Sequence, residues 1–266
     1  MTAYLGLDWS EHGWVGVGID TDGGYDVDIF PSISSAWVAH PECRLALVDV
    51  PIGLTDDTLR RCEEVAAGYL APDRHHSIFW TPVRDAVNSR TLDEAKRINQ
   101  RAIGRSVQNQ AWRLCPRIRE VDDFISLMPD ETTGVIRESH PELCFWALNN
   151  AKPLTQSKHT DDGVEARLEL LDGRLDLATT IFEDAVETFI EPPPHARRLG
   201  QDGRADVLDA IVLALTATLA SSGELSRIPA EPQRDDRGTY TLPIEMVMPA
   251  VARRAEQVSL ADLVRG

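Results

Sequence analysis

The stretch VLDAIVLALTATLA, residues 207 to 220, is apolar nearly all round a helical turn. A helix of that kind is stable only when other elements cover it on every side, so the chain must fold in layers around it. Two acids, Asp206 and Asp209, stand three residues apart at its entrance and share one helical face. One reading is local: carboxylates near a helix N-terminus complement the dipole and cap free N–H groups, worth about 0.3–1 kcal/mol each. The other is that further acids converge on the same spot, where like charges repel unless a cation intervenes.

With 266 residues the chain can bury a full core, and one large domain with an insertion is expected over two independent ones. No uninterrupted apolar run reaches the roughly 18 residues of a membrane span, and MTAYLGLDWS begins directly with a strand pattern, so a soluble cytoplasmic protein without a membrane partner is expected. Cys43, Cys62, Cys115 and Cys144 lack metal or disulfide spacing and read as free thiols. A net charge of −16 argues against a polyanionic partner, yet only three of the 27 basic residues are lysines (Lys96, Lys152 and Lys158), a composition resembling that of salt-loving organisms. Residues 60–120 run the other way, with twelve basic side chains against seven acids.

AYLGLDWS, GWVGVGID and YDVDIFPS read as three strands of an antiparallel meander joined by turns. SSAWVAH reads as a short helix, and RLALVDVPIGL as a strand covered on both faces, ending at Asp49. Residues 55 to about 128 look helical, with Thr55 or Asp56 as first cap, Thr91 and Glu94 as a capping box, and Pro116 breaking or kinking the last helix. GVIRESH is a fifth strand, PELCFWALNN a helix opened by proline, and helices over 162–172 and 178–190 precede the EPPP linker. The tail from 224 reads as a turn, a strand and a polar amphipathic helix. The expected class is therefore α/β: a single domain over 1–266 with a mixed five-stranded sheet, three antiparallel strands then two parallel, flanked by helices. It carries a helical insert at about 55–130 and a C-terminal extension at about 224–266. This is the plan of the ribonuclease H-like fold. A right-handed crossover sets the fourth strand beside the first, about 4.8 Å away, so Asp8 and Asp49 lie side by side. The terminal helix laid across the sheet brings Asp206 and Asp209 to the same point, where hard divalent cations suit such oxygen donors.

The segments GLDWSEHGW, VDVPIGL, RRCEE, SIFWTPVRDA, GRSVQNQAWRLCPRIREVD, ESHPELCFWALN, PLTQSKHTDDGVEARLELL, ADVLDAIVLALTA and RGTYTLPIEMVMP together resemble the DUF429 family over nearly the whole chain. Glu63 in RRCEE, and Ala67 just after it, depart from the family pattern, in which aspartate and arginine often stand at these positions. The resemblance implies a ribonuclease H-like fold and a nuclease activity, and in the wider superfamily Asp8, Asp49 and the Asp206/Asp209 pair are similar in placement to the metal-binding acids of RuvC-type resolvases. It implies two Mg²⁺ or Mn²⁺ ions, with Asp8 bridging, Asp49 and Asp209 holding one each and Asp206 assisting. It also implies nucleic acid, DNA or RNA, as the partner, and a homodimer by analogy with RuvC-type enzymes.

Further candidates are Glu142 as a metal ligand or dipole partner, His140 on the cleft or as a structural histidine, and Glu138 beside it on the fifth strand. Arg84 and Lys158, both in the family pattern, are expected to contact phosphate. Arg119 and Glu120 are expected to pair with each other, and Trp9 to face the core. Two rivals remain open: a catalytically silent binding or scaffold protein retaining the acids for folding, and an actin-like phosphotransferase. Against the latter, the turn DWSEHGW has one glycine and an added acid, Glu11, which would repel a nucleotide's phosphates.

Overall fold

A computed structural model describes residues 2–193, 195–200 and 203–251. The meander forms as the alternation requires: β1 (Thr2–Ser10), β2 (Gly13–Asp20) and β3 (Tyr25–Phe30) pair antiparallel. Helix α1 (Ile33–Ala39), capped by Ser32, leads to β4 (Leu45–Val48), which lies parallel beside β1. After α2 (Arg61–Leu70), α3 (Arg84–Val87), α4 (Leu92–Ile103), α5 (Asn109–Leu127) and α6 (Pro129–Thr132), strand β5 (Ile136–Glu138) adds parallel to β4. The sheet order is β3-β2-β1-β4-β5, consistent with a ribonuclease H-like arrangement.

Helices α7 (Pro141–Leu148), α8 (Asp161–Asp172), α9 (Ala178–Ala185) and α10 (Gly203–Thr218) follow. They cover one face of the sheet, packing on Tyr4, Val15, Val17 and Leu47. Helices α1 and α5 cover the other, meeting Leu5, Leu7, Trp14 and Val48. Side chains alternate along a strand, so Gly6 and Asp8 turn to the α10 face while Leu7 turns to α5. A smaller apolar cluster, Val83, Ala86, Ala95, Val107 and Ala111, is internal to the insertion.

Several expectations are corrected. Neither Thr55 nor Asp56 starts a helix: α2 begins at Arg61, behind a loop held from a distance. Thr91 caps α4, but Glu94 reaches back to the N–H of Arg90 and not of Thr91. Of the break or kink expected at Pro116, the break does not occur: the proline lies within α5. The tail holds two strands, β6 (Leu225–Asp236) and β7 (Thr241–Pro249), in an antiparallel hairpin that meets the end of β5 through Ser139 and Val247. The expected amphipathic helix after it lies outside the described residues. Gly203–Ser222 is long and apolar enough by length and composition to cross a membrane, although Asp206 and Asp209 break the run, and most of it is buried inside the protein.

The decisive packing is at Gly6. A Cβ built there would stand 2.2 Å from the Ala210 carbonyl oxygen and 2.3 Å from the Ala214 nitrogen, so strand and helix touch backbone to backbone. Gly6→Ala must push α10 off the sheet. Overpacking of this kind costs about 1–3 kcal/mol or more, and a matching loss in chemical denaturation, with unchanged far-UV signal, is expected.

His40 closes α1 onto the sheet edge. Its Nε2 stands 2.8 Å from Asp26 Oδ2 and its Nδ1 2.7 Å from the Ala36 carbonyl. Burial pulls its pKa down, but the bonds to Asp26 and Ala36 outweigh that and hold it above the ordinary value. Burial raises Asp26, and the bonds from His40 and Thr2 more than reverse it. The histidine contribution is therefore complete below its unfolded value of about 6.5 and fades as pH rises through the folded one. The stability difference between wild type and His40→Gln should be larger near about pH 5.5 than near about pH 9 in thermal melts; equal differences would refute the charged pair.

Candidate functional site

Asp8 follows Leu7, whose partner across β1 and β4 is Val48, and Asp49 donates its N–H to the Leu7 carbonyl at 3.0 Å. The two acids therefore lie side by side where the parallel pairing of β1 and β4 ends. The contact at Gly6 fixes the first turns of α10 over the same strand ends, bringing up Asp206 and Asp209. Asp8 and Asp209 are buried and Asp49 and Asp206 half-buried. Burial, then the fields of Asp209, Asp49 and Asp206, hold the Asp8 carboxyl well above the usual carboxylate range, against the opposing pull of Lys158. Asp49 is also raised, by burial and Asp209, although His140 lowers it. Asp209 sits too far into α10 to be a cap.

The cation at this spot is Lys158. Its ammonium donates to Asp209 Oδ2, and its pKa, pulled down by burial, is driven up on balance by Asp209 and Asp8. The loop that carries it rests on the first turn of α8, where a Cβ on Gly163 would meet the Ser157 carbonyl oxygen at 1.8 Å. Asp209 Oδ1, by contrast, is buried without a hydrogen-bond partner. Among the described residues no group of three or more His, Cys, Asp or Glu side chains is disposed to hold a metal ion as it stands.

The other candidates separate. His140 precedes α7 and adjoins Asp49; its Nε2 is 3.3 Å from the Ser77 carbonyl, while its Nδ1 is buried and unpartnered. Glu142 faces Asp49 electrostatically but is engaged by Arg167, fully buried, at 2.7 Å. Arg167 also donates to the Gln156 and Gly163 carbonyls, tying α7, α8 and the Lys158 loop together. Arg84 lies elsewhere: it bonds Asp235, Asp56 and the Leu54 carbonyl, next to the Arg237–Asp122 and Arg237–Asp235 pairs.

A cavity of about 180 Å³ opens beside Asp8 and Asp49. Glu63, Thr81 and Glu138 on its polar side are held from behind by a buried arginine that sequence reasoning missed. Arg60, fully buried, donates to Glu63, to both oxygens of Glu138 and to the Ile52 and Gly53 carbonyls, fixing the loop that follows Asp49. Glu63 further accepts from Thr81, so its longer side chain is absorbed structurally. Nothing local in RRCEE signals this, since Glu138 lies 78 positions away. Two further expectations change. Glu120 pairs with Arg117, not Arg119, and accepts from Trp14 Nε1 and the Ile33 N–H at 3.0 and 2.7 Å. Trp9 lines the cavity instead of lying wholly in the core.

Compared with protein families, residues 6–234 match the one described as "Protein of unknown function (DUF429)". The chain belongs to this family. No curated protein and no solved structure compared with it matches. Of the residues named above, Asp235 and Arg237 fall just beyond the matched span of this DUF429 chain, and the acid cluster lies wholly within it.

Removing one partner of a buried ion pair leaves the other uncompensated, at about 3–5 kcal/mol. Arg167→Met should therefore destabilise the protein by that order in denaturant titration, and adding Glu142→Gln should restore part of the loss.

Proposed function

We propose that this DUF429 chain is a divalent-metal-dependent nuclease that hydrolyses phosphodiester bonds in nucleic acid. The observation that carries the reading is the convergence of Asp8, Asp49, Asp206 and Asp209, from two strand ends and one helix, on a spot where Asp209 Oδ1 is buried without a partner. An all-carboxylate donor set suits Mg²⁺ or Mn²⁺, and Asp8, Asp49 and Asp209, assisted by Asp206, would hold the ions. Bound there, the two ions would supply activation of a water and stabilisation of the leaving oxygen. Lys158, which donates to Asp209 Oδ2, would be the residue to offer an ammonium to the substrate phosphate. Arg84, its donors committed to Asp56, Asp235 and Leu54, is not carried forward as a phosphate contact.

Mn²⁺ calorimetry in high salt, as the acidic composition calls for, tests the reading. Wild type should bind, Asp8→Asn and Asp209→Asn should each weaken binding at least about tenfold, and Arg84→Ala should leave it unchanged. Lys158→Ala should bind more tightly. Absence of binding to the wild type, with both asparagine variants less stable, would favour instead the scaffold reading, in which Lys158 is the permanent counter-ion of Asp209.

A further inference from the structure

Resting on the nuclease reading, we infer that the cavity beside Asp8 and Asp49 receives one unpaired base of the substrate, so that the preferred substrate is single-stranded nucleic acid. Size comes first. At about 180 Å³ the cavity is close to the roughly 150 Å³ that admits a benzene-sized ring, and far too small for a base pair. Its apolar side is formed by Trp9, Phe79, Leu114, Ile118 and Met246, opposite the acids Asp8, Asp49, Glu63 and Glu138. No lysine or arginine lines it among the described residues, so it does not suit a phosphate.

The aromatic wall is held in place. The Arg117 guanidinium stacks 4.1 Å over the Trp9 ring, and Trp14 meets that ring edge-on at 5.5 Å. A ring fixed before binding loses little freedom when a base stacks on it. Polar recognition is also provided for. His140, another lining residue, keeps Nδ1 buried without a hydrogen-bond partner, whereas Glu138 and Glu63 are satisfied by Arg60 and Thr81. The edge of a heterocycle carries the donors and acceptors that would satisfy this nitrogen.

The charge pattern agrees. Lys158, the cation of the site, bonds Asp209 and does not line the cavity. The phosphate then belongs at the aspartates and the base in the cavity, an arrangement open only to a nucleotide outside a helical stack.

The test measures binding of the full chain by fluorescence anisotropy, with Ca²⁺ in place of Mn²⁺ so that binding is read apart from cleavage. Three labelled probes of equal length are used: a single strand, the same strand in a duplex, and a strand of abasic sugar-phosphate. The single strand is run as both oligo-dT and oligo-rU to separate DNA from RNA. The base-bearing single strand should bind at least about tenfold more tightly than the other two. Leu114→Trp, which fills the cavity from its half-buried rim, should erase that preference while Mn²⁺ affinity stays as in the wild type. Should that variant not fold, Phe79→Ala should weaken only the base-bearing strand. Abasic and normal strands binding alike, or a tenfold preference surviving Leu114→Trp, overturns the base pocket and, with Mn²⁺ still bound, leaves the nuclease reading standing. Loss of both Mn²⁺ and strand binding in the wild type overturns both.

Discussion

The backbone contact between β1 and α10 at Gly6 sets the rest of the structure. A helix apolar on all sides gains most when it lies directly on the sheet, and the missing side chain at residue 6 lets it do so. The same contact determines which turn of α10 stands over the strand ends, and hence that Asp209 faces Asp8. Core packing and site assembly are thus one event. The repulsion among the carboxylates is the expense the fold accepts for it, since Asp8 is held against its tendency to ionise by burial and by three neighbours.

Buried arginines steady what the aspartates would otherwise loosen. Arg60 fastens the loop after Asp49 to β5 through Glu138, and Arg167 fastens α7 to α8 through Glu142. Each is fully buried with its carboxylate, an arrangement stable only because several carbonyls share the guanidinium. One clamp holds the loop after Asp49 and the other the loop that carries Lys158, so both are positioned by groups outside the acid cluster.

Much of this was legible in the sequence because it follows from periodicity. The alternation in the first thirty residues, the continuous apolar run before Asp49 and the all-round apolar helix lead to the sheet order, and with it to the juxtaposition of Asp8, Asp49 and Asp209. What was not legible depends on long-range partners. RIPAEPQRDD has two prolines and many polar residues and reads as loop, yet it pairs with β7 through an irregular register between Ile228 and Gln233. The stretch after Asp49 holds cap residues at Thr55 and Asp56, but Arg60 pins it as a loop. Glu120 takes Arg117 over Arg119 because Trp14 and Ile33 already orient its carboxylate. Glu142 and Arg84 carry the residue types of a site and are spent in ion pairs that no spacing rule reveals.

Lysine scarcity gives the Lys158–Asp209 pair an added meaning. Of 266 residues three are lysines, and one of these meets Asp209 inside the acid cluster. Modification of lysine amines therefore has few places to act on this chain. Acetylation of Lys158 would remove the ammonium that opposes Asp8, Asp49 and Asp209, a change in local charge without any change in sequence. Arginines, the great majority of the chain's cations, resist such chemistry, so Lys158 is the point at which it would reach the charge of the cluster.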